Sequence, residues 1–192
     1  MINLTEEEKR EIIEYGKERI KSNITGVIII LVIGIVFNLV LESFIFSISF
    51  FLQRRYAGGY HADTKWRCYI ISIFLITVSI FAIKIFDARI FLNFVLQTFN
   101  IFIIYLLAPV GTANRNLDIQ EFMIFRRKIR FISIIIYILC SICTFNEWII
   151  FANSLLVSNC LISFLLIVGY IKNKFIKRKE LLALENLKED FL

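Results

Sequence analysis

The sequence predicts an all-α fold, a polytopic membrane helix bundle, and three observations carry that prediction. Apolar residues make up 58% of the 192-residue chain, 20 of them Phe, with a mean hydropathy of +0.75. That is more apolar surface than a soluble fold of this size can bury. The apolar residues gather in long runs, at about residues 24–52, 69–86, 90–108, 131–145 and 148–171, most of them long enough for ~30 Å of hydrocarbon. The runs also lack the strict alternation of a barrel strand, so a backbone that must satisfy itself in lipid reads as helix. Pro109 is the single proline, and no internal repeat or low-complexity linker interrupts the chain, so residues 1–192 read as one integral membrane domain.

Taken in order, the first 23 residues carry both signs of charge and are rich in glutamate, unlike the basic region and cleavable apolar core of a signal peptide. Thr5 and Glu8 have the spacing of a capping box. A helix over residues 6–21 would offer a partial apolar face of Ile12, Ile13, Tyr15 and Ile20 to the inner leaflet or a partner. The run at 24–52 is basic on both flanks, yet about 29 helical residues cover only ~43 Å, too little for two full passes. The favoured reading is a short hairpin broken near Asn38 to Glu42, its second limb continuing into the next polar stretch. This gives about six membrane segments with both ends inside; one tilted helix with its N-terminus outside is the alternative. Glu42 would cost ~2.5–3.5 kcal/mol at mid-membrane, which favours a hairpin tip at an interface. The tail opens with Lys172, Lys174, Lys177, Arg178 and Lys179 and continues through Leu181, Leu182, Leu184 and Leu187. It reads as a surface helix anchored on anionic lipid.

Lys and Arg set the orientation. They number five before residue 24, four in 53–67, two in 84–89, five in 109–130, none in 144–148 and six after 171. The alternation from residue 53 onward places 53–67, 109–130 and the tail in the cytoplasm, and the N-terminal segment is basic enough to join them. Both terminal helices are therefore expected to be cytoplasmic.

The polar island Arg54 to Cys68, RRYAGGYHADTKWRC, holds the only histidine, His61, seven residues before Cys68. A thiol beside an imidazole is the minimum equipment for attack on an acyl group, the imidazole taking the thiol proton. On one straight helix the two Cα atoms would lie ~10.5 Å apart along the axis, too far to share a proton, so the chain must bend. Gly58 and Gly59 permit such a turn. Cys68 opens the next apolar run, where a helix N-terminus and the neighbouring Arg54, Arg55, Lys65 and Arg67 favour an anionic sulfur. Asp63 or Gln53 could orient the imidazole, and an oxyanion could be met by backbone N–H groups near Cys68 or by a basic side chain such as Arg54 or Arg55. The plain alternative is an interfacial histidine beside an inert cysteine in a non-catalytic membrane scaffold or small transporter. Glu42 is nearly alone at mid-membrane, which counts against a coupled carrier. One histidine and no H-E-x-x-H motif count against a metalloprotease. Cys140 and Cys143 have C-x-x-C spacing but no second pair, and with Cys160 they read as small buried hydrophobes. No metal or cofactor and no nucleic-acid partner are expected.

The stretch Arg54-Arg55-Tyr56-Ala57-Gly58-Gly59-Tyr60-His61, with Cys68 at the mouth of a membrane run, resembles the accessory gene regulator protein B (AgrB) family, membrane cysteine endopeptidases of Gram-positive quorum sensing. The likeness extends to chain length, the multi-pass pattern and the loop Ala108-Pro109-Val110-Gly111-Thr112-Ala113-Asn114-Arg115, similar to the family's second cytoplasmic loop. Family members often carry a Lys/Arg-Pro pair there, whereas Arg115 is followed by Asn116. The resemblance implies His61 as general base and Cys68 as nucleophile toward an AgrD-like signal propeptide with an amphipathic helix, a signal core and an acidic C-terminal tail. Cys68 would release the tail and hold the core as an acyl-thioester. A cysteine or serine of the core would then close a thiolactone or lactone autoinducing peptide, with water kept out. A net charge of +6 suits an acidic tail, and Arg115, Arg126, Arg127, Lys128 and Arg130 form a plausible docking surface; inner-face topology accounts for each of them singly just as well. The resemblance further implies a homodimer. The enzyme would sit in the cell membrane among its lipid, with the active site at the cytoplasmic face.

Overall fold

The computed structural model of the protein describes the backbone over residues 6–60, 64–85, 90–111 and 118–189. Among these residues six helices follow one another: α1 (Glu6–Val36), α2 (Val40–Ala57), α3 (Lys65–Ile85), α4 (Ile90–Leu107), α5 (Ile119–Phe145) and α6 (Ile149–Glu189). The last four each contain a stretch long and apolar enough to cross a membrane, and α1 adds a shorter apolar segment, Asn23–Val36. The expected multi-pass helix bundle is the observed architecture.

The expected hairpin is present. Asn38 stands in the left-handed region with φ 57°, the Leu39 N–H bonds to the Gly34 carbonyl at 2.7 Å and the Asn38 N–H to that of Ile35 at 3.1 Å. This is a Schellman ending, in which Asn tolerates the left-handed position and the last carbonyls of α1 find partners. Gly34 lets the limbs close, since a Cβ there would lie 2.6 Å from the Cβ of Ser43. The link from α5 to α6 repeats the device: Glu147 has φ 58°, and Trp148 N–H bonds to Cys143 O at 2.8 Å. Glu42 lies in the first turn of α2. With Leu39, Ile83, Lys84, Ile149, Ile150 and Asn153 it lines a recess of about 270 Å³ at this end of the bundle.

The terminal segments differ from separate surface helices. Residues 6–36 form one helix of 31 residues, about 46 Å long, and residues 149–189 one helix of 41 residues, about 61 Å. Neither span contains a proline, and continuing a helix spares the four unsatisfied groups that each extra end would expose. Thr5, the expected cap, lies outside the described residues.

α6 is the central post. It packs against α2, α3, α4 and α5, and 61% of its membrane window is buried against 22% for α3 and for α4. One apolar cluster gathers Phe46, Ile80, Ile104, Ile129 and Leu166; a second gathers Ile136, Ala152 and Leu156. Large apolar residues such as Phe74, Phe91, Phe99 and Phe131 stay exposed, as a lipid-facing surface requires.

Between the clusters runs a polar spine that the hydropathy pattern hides. Asn93, Gln97 and Asn100 recur at helical spacing on α4 and are all buried, as are Ser49 and Gln53 on α2 and Ser158 and Asn159 on α6. The amides act head to tail. Gln53 Nε2 donates to Asn159 Oδ1 at 2.7 Å, Asn159 Nδ2 to Gln97 Oε1 at 2.7 Å, and Gln97 Nε2 to Cys140 Sγ at 2.9 Å. The Cys140 thiol donates onward to the Ala152 carbonyl at 3.4 Å. Ser158 donates to Ser49 Oγ at 2.7 Å, and Asn100 Nδ2 to Cys160 Sγ at 3.1 Å. Cys140 and Cys160 are thus hydrogen-bond acceptors as well as fillers. Polar groups hidden from water must find such partners.

Candidate active site

At the end of the bundle opposite the hairpins, the polar island is pinned to the rest of the chain. α2 stops at Ala57 because Gly58 and Gly59 adopt φ 69° and 105°, angles that only glycine takes without strain. The turn is bridged to the segment after α4. Gly58 pairs with Val110 in a single parallel β-bridge, Gly59 N–H donates to Val110 O at 3.2 Å, and Val110 N–H donates to Ala57 O at 2.9 Å. Sequence reading named both stretches without seeing that they meet. Arg54, one turn before the break, donates through its guanidinium to the carbonyls of Gly58 and, at 2.6 Å, of Tyr60.

α3 starts at Lys65, so the backbone does not run as one straight helix from Arg54 to Cys68. Thr64 opens α3, its Oγ1 accepting from Arg67 N–H at 3.4 Å, and Cys68 is the fourth residue, in the first turn as expected. Its thiol is free and half-buried. Its own N–H donates to the Thr64 carbonyl at 3.1 Å, so that donor is not idle. His61 and Asp63 lie outside the described residues.

The other expected groups divide. Gln53 is fully buried, with its amide nitrogen held by Asn159 and, more weakly, by Ser49 Oγ at 3.4 Å. Its Oε1 is an acceptor without a partner. Arg54 serves the turn, and Arg55 is exposed with its guanidinium 5.6 Å from the Tyr56 ring centre.

The cations of α5 do not form one face. Successive helical residues step by 100°, and the structure sends Lys128 toward α2, 5.3 Å from the Tyr56 ring centre. Arg130 turns toward α4, 3.7 Å from the Tyr105 ring centre and 3.3 Å from its carbonyl. Arg126 lies over Phe122 of its own helix at 5.9 Å, and both Arg126 and Arg127 are exposed. Lys128 and Arg55 therefore flank one tyrosine of the island, while Arg130 is occupied elsewhere. Arg115 lies outside the described residues.

Comparison with known proteins meets this geometry. The family model for accessory gene regulator B matches residues 2–172. The chain belongs to that family. Among curated relatives, AgrB-like protein 2 of Clostridium perfringens strain 13 is 33% identical over 121 residues, 59% of this chain and 56% of that protein. Accessory gene regulator protein B of Staphylococcus aureus strain Newman is 27% identical over 116 residues, 60% of each chain. Protein FsrB of Enterococcus faecalis is 28% identical over 125 residues, 63% of this chain and 50% of that one. The aligned part thus spans between half and three-fifths of these relatives. No solved structure matches.

The residues that sequence reading missed are on α6. Tyr60 N–H donates to Leu165 O at 3.0 Å, Asn173 Nδ2 donates to Gly111 O at 2.7 Å, and Gly169 lies directly under the Gly59–Tyr60 peptide. The only sequence signal was a glycine and an asparagine four residues apart at the end of an apolar run.

Proposed function

We propose that this chain takes part in quorum-sensing peptide processing as a membrane cysteine endopeptidase. Its substrate is an AgrD-like signal propeptide and its nucleophile is Cys68. His61 removes the thiol proton, and the sulfur attacks the carbonyl at the end of the signal core. The C–N bond breaks, the tail leaves with the proton returned to its amine, and the core remains as a thioester on Cys68. A cysteine or serine of the core then displaces Cys68 and closes a thiolactone or lactone.

The observation that carries this reading is the break at Gly58 followed by a new helix with a free thiol in its first turn. It removes the straight-helix geometry that would hold residues 61 and 68 ~10.5 Å apart. Family membership supports the same assignment. Since the Cys68 N–H is bonded to Thr64 O, the oxyanion would draw on other donors. Gln53, whose Oε1 is open, and Asp63 are the candidates to orient His61. Arg55, Lys128, Arg126 and Arg127, with Arg115, would meet an acidic tail at the cytoplasmic face; Arg130, bound to Tyr105, is the weakest member of that set. The enzyme would work in lipid, as a homodimer.

The test is to incubate the full chain in liposomes with the small peptide encoded beside it and follow products by mass spectrometry. Cleavage and a Cys68 adduct are expected, both lost in Cys68→Ala and His61→Ala while membrane insertion persists. Retained cleavage in either variant would refute the mechanism, and no cleavage by the unsubstituted chain would favour the scaffold or transporter reading.

A further inference from the structure

Four residues of α6, Leu165, Gly169, Lys172 and Asn173, follow the spacing i, i+4, i+7, i+8 and so share one face of the helix. All four touch the two polar loops. The Leu165 carbonyl accepts from Tyr60 N–H at 3.0 Å. Gly169 is buried, and a Cβ added to it would lie 2.7 Å from Gly59 C and 2.7 Å from Tyr60 N. Lys172 Nζ stands 5.3 Å from the Tyr60 ring centre, and Asn173 Nδ2 holds Gly111 O at 2.7 Å. Gly111 follows Val110, which is itself bonded to Ala57 and Gly59. One stripe of one helix therefore fixes both loops at once, and the fixed turn ends at Tyr60, the residue before His61 in the chain.

We infer that this stripe is the seat of the peptidase centre and that Gly169 and Asn173 are positioning residues for the reaction. They touch no reacting atom. Gly169 allows the turn to lie against the α6 backbone, and Asn173 ties the second loop to it, so that the turn leading to His61 is held at one height relative to Cys68. The inference rests on the peptidase reading above. A displacement of the order of 1 Å in such a centre costs on the order of a hundredfold in rate.

The probe is iodoacetamide at pH 7 on the full chain in liposomes, with modification of Cys68 followed by mass spectrometry. It needs no knowledge of the propeptide. His61→Ala should slow Cys68 alkylation by at least about tenfold, because the imidazole no longer takes the thiol proton. Gly169→Ala and Asn173→Ala should each slow it by about threefold or more. Asn173→Asp, which cannot donate, should match Asn173→Ala. Tyr170→Ala, on the exposed side of α6, should match the unsubstituted protein. Adding Gly169→Ala or Asn173→Ala to His61→Ala should slow the reaction no further, a non-additivity that a general loss of structure would not produce. If His61→Ala is slow but both single α6 variants react at the normal rate, the seat is wrong and the dyad stands. If His61→Ala itself reacts normally, both fall. Should Gly169→Ala fail to fold, Asn173→Ala decides alone.

Discussion

The two segments that the proposed chemistry must bring together are anchored in contrasting ways. The turn from Gly58 to Tyr60 is held by Arg54 from its own helix, by Val110 from the next loop and by Leu165 and Gly169 from α6. The first turn of α3, which carries Cys68, is closed by local bonds to Thr64, with Trp66 and Arg67 exposed beside it. Among the described residues, the turn that precedes His61 in the chain is thus held by tertiary contacts, whereas the start of α3 shows local bonds. Preorganised geometry is what a positioned base requires. In the proposed mechanism, a nucleophile that carries a bulky acyl group would gain from a mooring by local bonds, since weakly tied segments open at low cost.

Substitutions can break this contrast or sharpen it. The largest effect belongs to Cys68→Ala, where cleavage should fall by at least about a thousandfold in a single-turnover assay, because removing a nucleophile removes the covalent path. Next comes the tightly held side. Arg54→Leu deletes two donors to the turn carbonyls and should lower kcat by about tenfold to a hundredfold with KM little changed, read from steady-state cleavage. Farther from the site, Asn159→Leu strands Gln97 Oε1 in the core and leaves Gln53 Nε2 only its long contacts to Ser49. It should destabilise the bundle by ~1–3 kcal/mol in a denaturant titration in mixed micelles, above the ~0.6 kcal/mol average for membrane hydrogen bonds, since one buried acceptor loses its partner and one donor its short bond. Arg126→Gln with Arg127→Gln should raise KM about twofold to threefold, an effect that fades with added salt. Smallest is Thr64→Val on the loosely held side: the cap bond is long at 3.4 Å, so a loss of ~0.5 kcal/mol and less than a threefold change in kcat are expected. If Thr64→Val cost as much as Arg54→Leu, the contrast between the two sides would vanish.

Much of the fold was legible in the sequence. The apolar runs became helices, and the break predicted near Asn38 to Glu42 is the turn at Asn38, because an Asn between two short apolar limbs is one of the few residues that accepts a left-handed helix ending. The continuity of α1 and α6 was not legible, since a change from polar to apolar composition marks a change of solvent and not a change of backbone. The polar spine was hidden for a related reason: Asn93, Gln97 and Asn100 barely dent the hydropathy of their run, and only their spacing places them on one face. Of the site, the glycine turn and the helix start at Cys68 could be read locally. The joining of residues 58 and 110, and the part played by Gly169 and Asn173, could not. These contacts link positions more than fifty residues apart and depend on backbone approach, which leaves little mark on residue type.

The amide chain from Gln53 through Asn159 and Gln97 to Cys140 has a direction, each group giving to the next. Reversing the Asn159 amide would set donor against donor at Gln53 and acceptor against acceptor at Gln97. Sliding α6 past α2 and α4 by a single residue, about 1.5 Å, would break both links that Asn159 makes. Four helices that greasy side chains alone would let slip in lipid are thereby keyed to one vertical alignment, and the loops they carry inherit a fixed height.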